Sequence, residues 1–191
     1  MNSISKLLLE LEKQGEANDA SASSRSEKML NITPDTGEYL ALLLAAVKAS
    51  DVLEVGTSNG YSTIWIASSM PAYGTVTTLE IQDHKIEMAQ DNFKKAGLEN
   101  RIKLVKMHAG DFFRANTKEY DLVFLDAERV EYMSFADDVI SSVRKGGILI
   151  CDNAISHEHE MREFMNYISE SGEFVCCTVP VGKGEFTACR K

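Results

Sequence analysis

The stretch Val52-Leu-Glu-Val-Gly-Thr-Ser-Asn-Gly-Tyr-Ser62 decides the fold of this chain. It begins as a short apolar run with β-branched residues, which is typical of a buried parallel strand. Gly56 ends the run, Gly60 follows four residues later, and the pattern after Gly60 favours a helix. A strand, a glycine turn and a helix N-terminus form a nucleotide-binding corner in open α/β sheets. Glycine is expected there because a Cβ would block close approach of a ligand to the backbone.

Strand and helix patterns alternate on both sides of this corner. An amphipathic helix is predicted over 3–14 and a loop over 15–26. Strands are predicted at 52–55, 75–79, 102–107, 120–125 and 148–151, and helices at 34–49, 61–70, 83–96, 129–143 and 158–171. Two last strands, 174–179 and 185–190, read as a hairpin. The prediction is an α/β fold: a Rossmann-like, doubly wound, mostly parallel seven-stranded sheet with an antiparallel C-terminal hairpin strand.

Length and charge narrow the class of protein. The 191 residues predict one domain over 1–191, with 1–26 as an N-terminal helix and linker. A net charge of −9 argues against a nucleic-acid partner, because phosphate binding needs a basic surface. No apolar run reaches the roughly 18–20 residues of a membrane span, and no signal peptide is recognisable, so we expect a cytoplasmic protein without a membrane partner. The four cysteines lack metal-site spacing and are expected to be reduced thiols.

Polar residues at the predicted strand ends indicate which ligand the corner binds. Glu80 lies 24 residues after Gly56, close to the roughly 20 residues at which an acidic side chain meets ribose hydroxyls. The phosphate-binding patterns G-x-G-x-x-G and G-x-x-x-x-G-K are absent. A ligand without phosphates fits better, since Glu54 would repel a pyrophosphate but attract the ammonium of S-adenosylmethionine. The alternatives are a buried Glu54 that caps backbone N–H groups and a solvated Glu80 at a strand end.

Four further motifs follow in order: Val76–Glu80, Asp121–Ala127, Gly146–Asn153 and Pro180–Gly184. With the stretch at 52–62, they resemble the class I S-adenosylmethionine-dependent methyltransferases. More narrowly, the chain is similar to the cation-dependent O-methyltransferases related to catechol and caffeoyl-coenzyme A O-methyltransferases, from about Met29 to the C-terminus. The resemblance implies a cofactor site for S-adenosylmethionine formed by Asn31, Ile32, Glu54, Gly56, Thr57, Ser58, Ser62, Glu80, Ile81, Ala109, Gly110 and Asp126.

Asp126, Asp152 and Asn153 follow two neighbouring predicted strands. Two carboxylates and an amide, with positions left open for water and substrate, suit octahedral Mg²⁺. The resemblance assigns all three residues to a divalent metal, although Asp-Asn after a strand is also a common turn pair. The implied reaction is methyl transfer to a hydroxyl of a small aromatic vicinal diol, with the metal lowering the pKa of that hydroxyl and fixing its orientation.

Arg129 departs from the family pattern. Related enzymes carry a lysine base three residues after the metal-binding aspartate, where this chain has Arg129 after Asp126. Arginine does not deprotonate in proteins. Our hypothesis makes Asp126 and Arg129 the catalytic residues, with Arg129 stabilising the acceptor oxyanion and the proton leaving to water or another base such as His157. The alternative is that Arg129 pairs with Glu128 or Asp126 on the surface.

Other functions stay open at this point. An NAD-linked oxidoreductase is disfavoured by the missing third glycine of its fingerprint. The remaining alternatives are an S-adenosylmethionine-binding protein with lost activity and a methyltransferase for a different small molecule. Because fold relatives are often dimers, a homodimer is expected.

Overall fold

The computed structural model describes residues 3–191. Its α-helices are α1 Ser3–Ser21, α2 Pro34–Val47, α3 Tyr61–Ser69, α4 Asp83–Ala96, α5 Ala109–Ala115, α6 Ala136–Ser142 and α7 Glu158–Glu170. Its strands are β1 Asp51–Val55, β2 Thr75–Glu80, β3 Ile102–Lys106, β4 Tyr120–Leu125, β5 Val143–Cys151, β6 Phe174–Val179 and β7 Glu185–Arg190. Short 3₁₀ helices lie at Arg25–Glu27, Glu99–Arg101 and Arg129–Phe135. None of the helices described over 3–191 is long and apolar enough to cross a membrane.

The strands form one sheet in the order β3-β2-β1-β4-β5-β7-β6. β1 to β5 are parallel, while β7 runs antiparallel between β5 and β6. This arrangement confirms the predicted mixed seven-stranded sheet. The chain winds outward in one direction from β1 to β3 and in the other from β4, so a crevice opens between the carboxyl ends of β1 and β4.

Helices cover both faces of the sheet, and side chains along β1 alternate between the two cores. Leu53 and Val55 pack into the cluster beneath α6 and α7, and Val52 packs into the cluster beneath α2, α3 and α4. This alternation follows from the two-residue period of a strand. Glu54 shares a face with Val52 and therefore points toward α3.

The N-terminal linker prediction is wrong over 15–21, because α1 continues to Ser21. This polar half of the helix has no apolar stripe, and tertiary contacts hold it instead. Asp19 Oδ1 accepts a hydrogen bond from the backbone N–H of Met29 at 2.8 Å. Gly15 is buried against Asn31, whose Nδ2 would lie 2.4 Å from a Cβ at Gly15. The connecting segment is thereby shortened to residues 22–33.

The single helix predicted over 129–143 is also wrong. A 3₁₀ helix covers Arg129–Phe135, α6 follows, and β5 already begins at Val143. Gly146 and Gly147 were expected to end a helix, but they lie inside β5, where the pairing with β4 shifts register. A strand that contains such a bulge tolerates glycine. Because a glycine pair is also typical of the end of a helix, the sequence did not indicate that β5 begins at Val143. The other predicted bounds of helices and strands from residue 34 onward agree within two residues.

Candidate active site

A cavity of about 430 Å³ opens at the crevice between β1 and β4. Its volume lies in the range of small-molecule sites, about 300–1,000 Å³. The predicted residues on its wall are Asn31, Ile32, Gly56, Thr57, Ser58, Ser62, Glu80, Ile81, Ala109, Asp126 and Arg129. The predicted residues Glu54, Gly110, Asp152 and Asn153 are not among the lining residues. The wall also includes residues that the sequence did not single out, namely Arg25, Met29, Leu30, Gln82, Lys85, His108 and Glu131.

The sequence predicted glycine in the turn after β1 because a ligand approaches the backbone there, whereas the structure shows that contacts within the protein require it. Gly56 has φ +106°, and a Cβ at this position would lie 2.2 Å from the backbone oxygen of Asp126. At Gly60, with φ +86°, a Cβ would lie 2.5 Å from a ring carbon of Phe93. Both glycines are therefore required by contacts within the protein. At Gly56 that contact brings the ends of β1 and β4 together beside the cavity.

Glu80 connects the glycine turn to the end of β2. Its carboxylate accepts backbone N–H groups from Ser58 at 2.9 Å, Ile81 at 2.8 Å and Gln82 at 3.0 Å. Glu80 is only 9% exposed, so it is not the solvated strand-end charge that we considered as an alternative. A carboxylate has about four acceptor positions, and three bonds leave one for a ligand hydroxyl at the cavity wall.

Glu54 lies fully buried behind the cavity wall. Its carboxylate accepts hydrogen bonds from three hydroxyl groups: Ser62 at 2.6 Å, Thr78 at 2.6 Å and Thr63. These hydroxyls, rather than backbone N–H groups, are the partners of the carboxylate. Burial raises the pKa of Glu54 to about 7, against the lowering effect of the three hydrogen bonds. Ser62 alone of this group reaches the cavity, so Glu54 affects a ligand through Ser62.

Residues 29–32 form one part of the cavity wall. Ser58 Oγ donates to the backbone oxygen of Met29 at 2.5 Å, which ties this segment to the glycine turn. Asp19 of α1 holds the backbone N–H groups of Met29 and Leu30 from the other side. Leu30 has φ +52°, a conformation that non-glycine residues adopt rarely. The extended α1 thus positions the segment that includes Asn31 and Ile32.

Asp126, Asp152 and Asn153 come together at the ends of β4 and β5, as the sequence predicted. Asn153 Nδ2 lies 2.7 Å from Asp152 Oδ2 and 3.5 Å from Asp126 Oδ1. Asp152 and Asn153 are 5% and 7% exposed. Burial, followed by the negative charge of Asp152, raises the pKa of Asp126 well above its ordinary value. Among residues 3–191, no group of three or more His, Cys, Asp or Glu side chains has the arrangement of a metal site. The group at the ends of β4 and β5 consists of two carboxylates and the amide of Asn153.

Sequence reasoning missed Glu185, the first residue of β7. Its side chain is fully buried, and the antiparallel pairing of Phe186 with Cys151 places Glu185 beside Asp152. Thr36 Oγ1 donates to Glu185 Oε1 at 2.8 Å, whereas Glu185 Oε2 has no hydrogen-bond donor among residues 3–191. Burial, followed by the charge of Asp152, raises the pKa of Glu185. The sequence of β7 alone does not distinguish Glu185, because its position beside Asp152 depends on the antiparallel pairing of β7 with β5.

Arg129 is buried, 6% exposed, and lies on the cavity wall. Its Nε donates to Glu160 Oε2 of α7 at 2.8 Å, so the surface pairing with Glu128 or Asp126 is not what the structure contains. Tyr132 supports the turn before Arg129, since its hydroxyl oxygen accepts the backbone N–H of Ala127 at 2.9 Å. Arg129 and Asp126 both line the cavity, and the positive charge of Arg129 opposes the rise in the pKa of Asp126.

His157 lies at the start of α7, and its backbone N–H donates to the oxygen of Asn153 at 2.9 Å. Its Nδ1 is 2.9 Å from Ser156 Oγ. Burial, followed by the positive charge of Arg129, lowers the pKa of His157. The lowered pKa favours the neutral imidazole at pH 7.

Comparison with known proteins identifies the family. The sequence profile described as O-methyltransferase matches residues 5–186. The chain belongs to the S-adenosylmethionine-dependent O-methyltransferase family. This match confirms the resemblance on which the cofactor and site predictions were based.

Two similar proteins are catechol O-methyltransferases. The one from Mycobacterium tuberculosis is 35% identical over 125 residues, which cover 65% of this chain and 57% of the relative. The one from Niastella koreensis is 32% identical over 130 residues, covering 66% of this chain and 59% of the relative. The chain therefore aligns with less than two thirds of the length of these two relatives.

Solved structures share the fold. A cofactor-bound protein from MTB superposes with a TM-score of 0.82 at 26% identity and covers 100% of this chain and 90% of its own. An O-methyltransferase from Bacillus cereus, solved in complex with SAH, has a TM-score of 0.81 at 23% identity and covers 97% and 91% of the two chains. The chain therefore shares the fold of these two proteins over nearly its whole length.

The buried Glu54 predicts that the stability of the protein depends on pH. Its pKa is near 4.5 in the unfolded chain and about 7 in the fold, so between these values the folded state holds a proton that the unfolded state has lost. The free energy of unfolding therefore falls as pH rises from 4.5 to 7, by about 3 kcal/mol, and Glu54 adds no further change above pH 7.

We expect Glu54→Gln to remove this contribution. Urea denaturation between pH 4.5 and 8 should show the variant gaining about 2–3 kcal/mol relative to wild type across that range. The matched control is Glu87→Gln on the exposed face of α4, which should parallel wild type. Parallel curves for Glu54→Gln and wild type would contradict the assignment.

Proposed function

We propose that this protein transfers the methyl group of S-adenosylmethionine to a hydroxyl of a small aromatic vicinal diol, with help from a divalent metal ion. The observation that carries the proposal is the position of one cavity between two features: Glu80 at the end of β2, and the acidic cluster at the ends of β4 and β5. The first suits an adenosine, and the second suits a cation with a chelated diol. The names of two similar proteins, both catechol O-methyltransferases, support the acceptor class.

The cofactor side of the proposal rests on the cavity wall. Glu80 has an acceptor position left for ribose hydroxyls, and Ile81, 53% exposed beside it, offers an apolar surface for the adenine. Ser58 and Ser62 would meet the methionine end, where the carboxylate of Asp126 offers a partner for the ammonium group. S-adenosylmethionine supplies the reactive methyl group: its C–S bond breaks as the O–C bond forms, and S-adenosylhomocysteine leaves.

The acidic cluster fits a divalent cation. Asp126 and Asp152 supply carboxylate oxygens, and rotation of the Asn153 amide by half a turn would present its oxygen in place of Nδ2. Burial and neighbouring negative charge raise the pKa values of Asp126 and Glu185, and a bound cation would favour the ionised forms of both groups. When bound, such an ion would lower the pKa of the acceptor hydroxyl.

Arg129 and His157 supply the remaining chemistry. The guanidinium of Arg129 stays protonated and faces the cavity, so it stabilises negative charge on the acceptor oxygen without removing its proton. His157 is the neutral base near Asn153: with Nδ1 donating to Ser156 Oγ, its Nε2 is free to accept a proton. The buried pair of Arg129 with Glu160 fixes the direction of the guanidinium.

Calorimetry and turnover assays together test the proposal. S-adenosylmethionine is titrated into the protein, followed by Mg²⁺, and methylation of catechol is compared with methylation of phenol, with and without EDTA. We expect cofactor binding, turnover of catechol, none of phenol, and loss of turnover with EDTA. Cofactor binding without turnover of any diol would favour a binding protein with lost activity, and failure to bind S-adenosylmethionine would overturn the central claim. The homodimer and the cytoplasmic location stay predictions.

Replacement of Arg129 tests its role separately. Arg129→Gln should lower kcat for catechol by about 10–100-fold, because a hydrogen bond to a charged group contributes about 1.5–3 kcal/mol. The dissociation constant for S-adenosylmethionine should change little. Arg129→Lys introduces a group that titrates, so its pH–rate profile should differ from that of wild type. Identical profiles and an unchanged kcat would exclude Arg129 from the reaction, and Arg162→Gln, an exposed pair with Glu158 on α7, serves as the control.

A further inference from the structure

Arg25 is a cation on the cavity wall that the proposed reaction does not use. It lies beside Ser26 in the 3₁₀ turn Arg25–Glu27, and both residues line the cavity. Within the part of the chain that the structure describes, 3–191, the guanidinium of Arg25 has no hydrogen bond and no ion pair. On an open surface such a side chain is simply solvated, but on a cavity wall its five N–H donors are available to a ligand.

Hydrogen bonds within the turn fix the backbone at Arg25. Glu27 Oε2 accepts the backbone N–H groups of Ser23 at 3.1 Å and Ser24 at 3.2 Å. The backbone N–H of Lys28 donates to the backbone oxygen of Arg25 at 3.2 Å. The side chain of Arg25 therefore extends from a defined place on the wall, although none of these bonds involves its guanidinium.

Arg25 lies on the same side of the cavity as Arg129. After burial, the positive charges of Arg129 and Arg25 are the next causes that lower the pKa of His157, so both guanidinium groups are close enough to act on this imidazole. Arg129 is buried and its Nε donates to Glu160 Oε2 at 2.8 Å, while its terminal N–H groups have no partner among the described residues. Two cations with unused donors thus lie at the end of the cavity where the acceptor is proposed to bind.

The acidic residues of the cavity wall do not pair with these two cations. Glu80 accepts three backbone N–H groups, and Glu131 pairs with His108 Nε2 at 3.2 Å. The other two acids on the wall, Asp126 and Glu128, form no ion pair with either guanidinium in the described structure. Positive charge is therefore left over at this place in a chain whose net charge is −9. An anionic group on the bound acceptor would offset it.

We propose that Arg25 determines acceptor specificity by binding a carboxylate carried on the side chain of the diol ring, with the charge of Arg129 adding to the attraction. The inference rests on the proposed function, because it concerns the acceptor of that reaction. A guanidinium matches the geometry of a carboxylate, to which it donates two parallel N–H groups. The contact is the same in the bound acceptor and in the transition state, so its effect falls on KM and leaves kcat nearly unchanged.

Acceptor pairs that differ in charge test this assignment. KM and kcat are measured with S-adenosylmethionine and Mg²⁺ for 3,4-dihydroxybenzoate and its amide, and for 3,4-dihydroxyphenylpropionate and its amide, whose side chain reaches further. Wild type should have a KM about 10-fold lower for at least one acid than for the matching amide, and Arg25→Gln should abolish the difference. Because Arg25 is exposed, added salt should narrow the difference in wild type.

Two further variants act as controls. Arg114→Gln loses the same charge, but Arg114 pairs with Asp111 on the exposed side of α5, so this variant should keep the preference of wild type for the acids. Arg25→Lys keeps the charge and loses the planar fork, so it should retain part of the preference. The dissociation constant for S-adenosylmethionine is measured in parallel, because the carboxylate of the cofactor is the other anion in the cavity.

The possible contrary outcomes concern different claims. Turnover with equal KM for acids and amides in both pairs, or a preference that persists in Arg25→Gln, would overturn the role of Arg25 and leave methyl transfer standing. Weaker cofactor binding by Arg25→Gln without a change in acceptor preference would assign Arg25 to the carboxylate of S-adenosylmethionine and also overturn the inference. Failure of wild type to turn over any of the diols would overturn the proposed function and this inference together.

Discussion

Replacement of Glu80 by alanine should weaken S-adenosylmethionine binding at least 100-fold. The carboxylate accepts three backbone N–H groups, from Ser58, Ile81 and Gln82, and it lies on the wall of the cavity. The substitution removes the acceptor for ribose and leaves three donors without their partner at the turn that shapes the site. Loss of about 3 kcal/mol, the value of one strong hydrogen bond to a charged group, already corresponds to a factor of about 150 in the dissociation constant.

Isothermal calorimetry measures this change. Glu80→Gln keeps the size of the side chain and one acceptor oxygen, so a smaller loss of about 10-fold is expected. Glu87→Ala, on the exposed face of α4, should bind like wild type. If Glu80→Ala stays folded by circular dichroism and binds the cofactor within 5-fold of wild type, the ribose role of Glu80 is wrong.

Gly56→Ala should destabilise the protein more than any other single glycine-to-alanine change discussed above. The backbone at Gly56 has φ +106°, and the new Cβ would lie 2.2 Å from the carbonyl oxygen of Asp126. The backbone conformation costs about 1–3 kcal/mol for a residue with a side chain. The overlap of the new Cβ with Asp126 adds a similar amount, because the atoms that it meets are backbone atoms, which cannot rotate away as a side chain can. We expect a loss of about 4 kcal/mol in the free energy of unfolding, measured by urea denaturation with Trp65, the one tryptophan, as the probe.

Two other glycines provide matched controls. Gly97 and Gly172 have φ +68° and +76°, and a Cβ at either position would meet no atom of residues 3–191 within 4 Å. Alanine at these positions should cost about 1–2 kcal/mol, which is the conformational part alone. The difference between Gly56→Ala and these controls measures the contact with Asp126. An equal loss at all three positions would show that the β1 and β4 ends are not held together there.

Parallel strands and their neighbouring helices were predictable because their signals are local. The apolar run before Gly56, Pro34 at the start of α2 and Gly97 at the end of α4 act within one or two turns of the chain. The residues at the ends of β1, β2 and β4 were predictable for a related reason: parallel strands place their carboxyl ends on one edge, so sequence order becomes spatial proximity. The family motifs then supplied the cofactor.

Contacts between distant segments of the chain explain why the predictions over 15–21 and 129–143 were wrong. The polar half of α1 is helical because Asp19 and Gly15 contact residues 29–31, which no pattern within 15–21 could indicate. The glycines at 146 and 147 read as the end of a helix, although the pairing of β5 with β4 makes them part of a strand. In each case a tertiary contact outweighed a local preference of about 1 kcal/mol per residue.

The sequence by itself determined the order of strands and helices, the glycine corner and the identity of the methyltransferase family. These depend on hydrophobic periodicity, turn chemistry and motifs that act over short distances. Only the tertiary structure decided that Gly56 serves the contact with Asp126, that Arg129 pairs with Glu160, and that Glu185 lies beside Asp152. Each of these depends on two segments far apart in the chain, joined by the pairing of strands and the burial of charge, and a linear pattern carries no signal for such a contact.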